Sequence, residues 1–100
     1  MLPFIASIQN YDPEFYKLVK GMEDLTQQEG GLDPKTKLMI SLAVDACTGA
    51  TQGVAAIAAV LRKMGVSDAQ IGEVLRIAYF AHGNTVLATS AAAFQGQPPK

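Results

Sequence analysis

Apolar residues recur along most of this chain at three- and four-residue intervals, the spacing that places them on one face of an α-helix. Phe15, Leu18, Val19, Met22 and Leu25 make one stripe, and Leu38, Met39, Leu42, Ala43 and Ala46 the next. Val54, Ile57, Ala58 and Leu61 follow, then Ile71, Val74, Leu75, Ala78 and Tyr79, then Val86, Leu87, Ser90, Ala91 and Phe94. No stretch alternates with the two-residue period of a strand. Start signals fall between the stripes. Asp12-Pro13-Glu14 and Asp33-Pro34 each put a capping carboxylate before a proline at the first helical position. Ser67-Asp68-Ala69-Gln70 has the form of a capping box. Stops are expected at Gly30-Gly31 and at Gly65, and a break at His82-Gly83-Asn84 is expected to divide the last two stripes. A short turn around Phe4 to Ile8 precedes them. The pattern predicts an all-α fold of about five to six helices, one domain over residues 1–95, and a disordered tail over 96–100 containing Pro98-Pro99.

Composition adds a second expectation, that the protein assembles. Hydrophobic residues make up 49% of the chain and charged residues 17%, which is lean for a small domain with much surface per unit volume. Ala55, Ala56, Ala58 and Ala59 surround one helix with small side chains, and Ala91, Ala92 and Ala93 another. Helices that neighbours can approach on several sides belong in a core or an interface, and so short a chain has little core. A homo-oligomer is therefore expected. With a formal net charge of −1 there is no electrostatic footprint for nucleic acid or an anionic membrane. Between Leu38 and Leu61 the only charge is Asp45, but Thr48, Gly49, Thr51, Gln52 and Gly53 split that run into pieces too short to cross a bilayer. The start of the chain has no basic residue before Lys17, unlike a signal peptide. A single cysteine, Cys47, excludes an internal disulfide and suits a reducing cytoplasm.

The stretch from Leu32 to Phe94 resembles the alkylhydroperoxidase D-like, or carboxymuconolactone decarboxylase-like, family. The residues that carry the likeness are Leu32-Asp33-Pro34-Lys35-Thr36-Lys37, Ile40-Ser41-Leu42-Ala43-Val44, Leu61-Arg62-Lys63-Met64-Gly65-Val66-Ser67 and Ile71-Gly72-Glu73-Val74-Leu75, with a small-residue turn at Gly83. These are scaffold features, and the resemblance implies a helical fold that commonly assembles as trimers or hexamers. Its redox members use a glutamate, a C-x-x-C pair and a histidine, since one thiolate attacks, the other resolves, and the acid and imidazole manage protons. In the gapless register set by the flanking blocks, those positions are Leu38, Ala50, Gly53 and Ile57. All four are chemically silent. The decarboxylase branch also places a histidine where Ile57 stands. The resemblance therefore implies the scaffold without the family's peroxidase or decarboxylase chemistry, and no cofactor.

Among the remaining polar residues, His82 is the only histidine. It reads either as a general base or ligand in a pocket, or as a cap on a helix C-terminus, where a cation is favoured. Asp45 shares a helical row with Leu38 and Leu42, so it faces inward, either as an acid in a pocket or in a structural bond to a helix end or another subunit. Thr48, Thr51 and Gln52 are placed to cap the following helix. Cys47 reads as a buried or interface thiol, or as a residual peroxidatic one. No cysteine or carboxylate stands at ligand spacing from His82, so no metal is expected. The sequence supports a non-redox binding or structural protein. The competing reading is an enzyme with an altered pocket, in which His82 works with Asp45 or Gln52 on a small carbonyl or lactone compound.

Overall fold

A computed structural model of the chain describes residues 3–96. Its elements are α1 (Pro3–Ile8), α2 (Pro13–Gln27), α3 (Pro34–Thr48), α4 (Thr51–Lys63) and α5 (Asp68–Ser90), followed by a 3-10 turn at Ala91–Phe94. Among the described residues there is no strand. The fold is all-α. The prolines at 98 and 99, and with them most of the expected tail, lie outside the described residues. The chain divides into two compact units, residues 1–34 and 35–100.

In the first unit α1 and α2 pack together, and Ile8 at the end of α1 is buried. The start of α2 follows from its sequence. The Asp12 carboxylate accepts from the Phe15 backbone N–H at 3.1 Å, and Pro13 occupies a first-turn position whose missing N–H costs nothing. The helix ends at Gln27, ahead of Gly30-Gly31, as helix ends commonly fray by a residue or two. On its polar side Lys20 donates to Asp24 at 2.6 Å, one turn along, and this hydrogen bond raises the Lys20 pKa above the usual lysine value. The apolar stripe of α2 is open: Phe15, Leu18, Met22 and Leu25 are all exposed.

The second unit holds the larger core. Leu42 of α3 and Leu61 of α4 are fully buried, joined by Ala58, Val66 and Ile71. Leu38, Met39, Val54, Ile57, Val74 and Leu75 pack around them. The connection from α4 to α5 closes tightly for local reasons. Gly65 takes a left-handed φ of +89°, its N–H donates to the Arg62 carbonyl, and the Val66 N–H donates to the Leu61 carbonyl at 3.0 Å. This is the Schellman arrangement, and its usual apolar contact is supplied by Leu61 and Val66, both core residues. The capping box then starts α5: Ser67 Oγ accepts from the Gln70 N–H at 3.1 Å, and Gln70 Oε1 accepts from the Ser67 N–H at 2.9 Å. Arg62 closes the corner on Asp68 at 2.8 Å. Gly65→Ala is expected to cost about 1–2 kcal/mol, because an added Cβ finds open space and only the left-handed backbone penalises it. Urea unfolding of the two proteins checks this. An unchanged midpoint would remove the turn from the fold's determinants.

Two expectations are corrected here. No break occurs at Gly83: α5 runs unbroken from Asp68 to Ser90, and Gly83 is absent from the glycines with positive φ. A glycine ends a helix by adopting a left-handed conformation, and a single interior glycine without a proline or cap beside it is tolerated. His82 therefore sits inside a helix and caps no terminus, and its carbonyl accepts from the Thr85 hydroxyl at 2.8 Å. The second correction concerns the start of α4. Its N-cap residue is Ala50, without a side-chain hydrogen bond. The Thr48 hydroxyl instead turns back to the Val44 carbonyl at 3.0 Å, satisfying a free carbonyl at the end of its own helix. Thr51 and Gln52 are exposed, and neither caps the helix.

Candidate functional site

Helix periodicity gives α3 two working faces, and the candidate residues divide between them. Leu38, Leu42 and Asp45 lie on one row. Leu42 fills the core and Leu38 packs against it, while one turn further on Asp45 reaches the first turn of α4. There its carboxylate lies against Gly53. A Cβ on Gly53 would overlap Asp45 Oδ2 and stand only 3.0 Å from its Cγ. No donor among the described residues hydrogen-bonds this half-buried carboxylate. What favours it there is the start of α4, where free N–H groups make the helix end positive. Asp45 thus supplies the charge that the missing N-cap side chain would otherwise bring, from the preceding helix.

Leu38, Ala50, Gly53 and Ile57, the positions where the resemblance would place redox chemistry, lie on α3 and along the first half of α4. Leu38 and Ile57 are partly buried and packed on the core. Ala50 is the N-cap residue of α4 and is exposed, and Gly53 is pinned by Asp45. None of the four offers a proton or an electron pair. Gln52 is exposed, so nothing holds its amide in place.

The other face of α3 meets α5 along an open groove of about 500 Å³. Its floor is built of small side chains, with Ala43, Cys47, Ala78 and Ala81 among them, and its walls include Ile40, Val44 and Ile77. Polar atoms are few: Thr36 stands among the lining residues, and Cys47, Thr48 and His82 fall on the last turn of α3 and the middle of α5. The Cys47 thiol is directed at the Ala78 carbonyl, with Sγ 3.8 Å from the oxygen. A thiol in that contact gives its hydrogen to the helix backbone, a structural use of a small polarisable side chain. The structure therefore brings His82 together with Cys47 in one groove. It leaves Asp45 and Gln52 outside it.

Sequence reasoning missed the groove. The signal was present in the clustering of alanines with Cys47 and His82 at helical spacing, but which helix would face α3 is a tertiary fact. Among the described residues, no group of three or more His, Cys, Asp or Glu side chains could hold a metal ion. No described helix is long and apolar enough to cross a membrane.

Comparison with known families finds a match over most of the chain. The model of the carboxymuconolactone decarboxylase family covers residues 13–96 of the chain. No curated protein and no solved structure matches it.

Proposed function

This chain belongs to the carboxymuconolactone decarboxylase family, and from that premise we propose that it is a non-redox member, a self-assembling helical protein with a binding or structural role. The observation that carries this reading is the Asp45–Gly53 contact. In the register set by the flanking blocks, Gly53 stands where the redox members have their second cysteine, and the carboxylate of Asp45 takes up the room a side chain there would need. With Leu38 and Ile57 packed on the core, the side chains at these four positions offer neither nucleophile nor proton carrier. Assembly is supported by the exposure of large apolar residues in each of the two units, such as Leu18 at 69% and Tyr79 at 82%, since exposed apolar surface often marks an interface.

The purified protein is expected to consume hydrogen peroxide or an organic hydroperoxide, in the presence of a dithiol, no faster than its Cys47→Ser variant. A turnover that disappears with Cys47→Ser would establish a residual thiol peroxidase and overturn the non-redox reading. Sedimentation at micromolar concentration is expected to show an oligomer, and a stable monomer would remove the assembly half of the proposal.

A second reading is favoured by one observation, the presence of both Cys47 and His82 in the lining of the α3–α5 groove. The volume is that of a small-molecule site, and an apolar slot with few polar groups is the common form of such sites. In this reading the groove takes a small carbonyl or lactone compound, with the His82 imidazole as general base. His82→Ala should then abolish binding or turnover of such compounds. A panel that neither binds nor reacts would retire it.

A further inference from the structure

Resting on the small-molecule reading of the α3–α5 groove given above, we infer that its ligand is an uncharged compound with a single carbonyl group on an apolar body, a lactone or ketone, and that the groove selects such a compound against a carboxylate of the same carbon skeleton. The inference begins from charge. Among the described residues, no Asp, Glu, Lys or Arg lines the groove. Lys35, Lys37 and Asp45 on α3, and Glu73 and Arg76 on α5, each stand next to a lining residue in sequence, yet none of them lines it. Successive residues of a helix are turned by about 100°, and here that turn carries every full charge to other faces.

The hydrogen-bonding groups narrow the ligand further. An anion that leaves water needs donors to replace it, and the donors here are already used. The Cys47 thiol gives its hydrogen to the Ala78 carbonyl at 3.8 Å, and the Thr48 hydroxyl gives its own to the Val44 carbonyl at 3.0 Å. Thr36 is not free either. Along the middle of α3 and α5 the backbone N–H groups are spent within the helices. His82 differs. Its backbone carbonyl accepts from Thr85, but no described residue hydrogen-bonds its ring. A neutral imidazole has one N–H to donate and one nitrogen that accepts, enough for a carbonyl oxygen and too little for the several acceptor sites of a carboxylate.

The rest of the groove suits an apolar body. Ala43, Ala78 and Ala81 on the floor and Ile40, Val44 and Ile77 on the walls present hydrocarbon, and a volume of about 500 Å³ is that of a small-molecule site. A carboxylate has two ways to enter, and both weaken it. It either leaves water without donors, or it keeps its head in solvent and draws part of its chain out of the groove. A lactone carbonyl carries no charge to desolvate, so it can reach the His82 ring with its alkyl chain laid between α3 and α5.

The test uses the full chain, labelled at its alanine methyls and followed by NMR. γ-Octalactone should shift the methyls of Ala43, Ala78 and Ala81 and leave those of Ala55 and Ala56 on α4 unmoved. The sodium salt of its ring-opened hydroxy acid, which has the same carbons, should bind about tenfold more weakly or worse. Val44→Lys, at a wall position that is 56% exposed and can take a long side chain, should bring the two affinities together or reverse their order. The wild-type comparison decides the matter if Val44→Lys fails to fold. A hydroxy acid that binds as tightly as the lactone, or a preference for the lactone that Val44→Lys leaves unchanged, overturns the inference and leaves the groove as a small-molecule site. Alanine methyls that neither probe moves remove the small-molecule reading of the groove, and this inference with it.

Discussion

Replacing Leu61 by alanine is expected to lower the stability of the second unit by about 2–5 kcal/mol, measured as a shift in the urea midpoint at constant slope. Leu61 is one of two fully buried large side chains, at 0% exposure, and it sits where α3, α4 and α5 share their core. It is also the residue whose carbonyl accepts from Val66 in the turn that closes α4 onto α5. Truncation thus opens a cavity and removes the apolar contact that seals the turn. The core around it is small, consisting of Leu42, Ala58, Val66 and Ile71 with a partly buried rim. Few side chains can move in to refill the space, which puts the cost toward the upper part of the range. Against a total stability of roughly 5–15 kcal/mol for a domain of ordinary size, such a loss should leave a visible unfolded fraction at 37 °C. Val60→Ala, at a neighbouring site that is 44% exposed, is the control and should cost far less. Equal costs at the two positions would mean that the assigned core is wrong.

Gly53→Cys is expected to destabilise the protein by about 1–3 kcal/mol, the usual cost of overpacking, and Asp45→Ala is expected to restore most of the loss. The built Cβ overlaps the carboxylate of Asp45, so that side chain must leave the start of α4 for any substituent to enter. In the Asp45→Ala background the same position should behave as an ordinary first-turn helix position. There Gly53→Ala gains about 1 kcal/mol from helix propensity, whereas beside Asp45 that gain should vanish or reverse. A double-mutant cycle by thermal or urea unfolding should report a coupling of at least about 1 kcal/mol. Additive effects would show that Asp45 rotates away freely, and the claim that it closes this position would fall. The same cycle bears on function. Placing a cysteine pair at residues 50 and 53 is expected to require removal of Asp45 as well.

The starts of α2 and α5 were legible from local chemistry alone, because each depends on a few adjacent residues. Asp12 with Pro13 and Ser67 with Gln70 act within a single turn, and Gly65 needs only its own backbone freedom. The core row of Leu38 and Leu42 was legible for a related reason: periodicity alone assigns residues to a common face. The same logic misread Gly83, since a stop requires a left-handed conformation that the sequence does not display, and the hydrogen bonds of a long helix outweigh one interior glycine. It misread Thr48 as well, because a hydroxyl at a helix junction can serve the helix behind it or the one ahead.

The sequence by itself determined the helical class and the family scaffold, both of which depend on residue identity and local spacing. The tertiary structure alone decided which polar groups share a site. Asp45 and Cys47 are two residues apart, yet a helix turns them to different sides, so one faces Gly53 of α4 and the other lines, with His82, the groove between α3 and α5. Partnership between side chains distant in sequence is a matter of which helix packs where. That is settled by burial summed over the whole core, and no short stretch of the chain contains it.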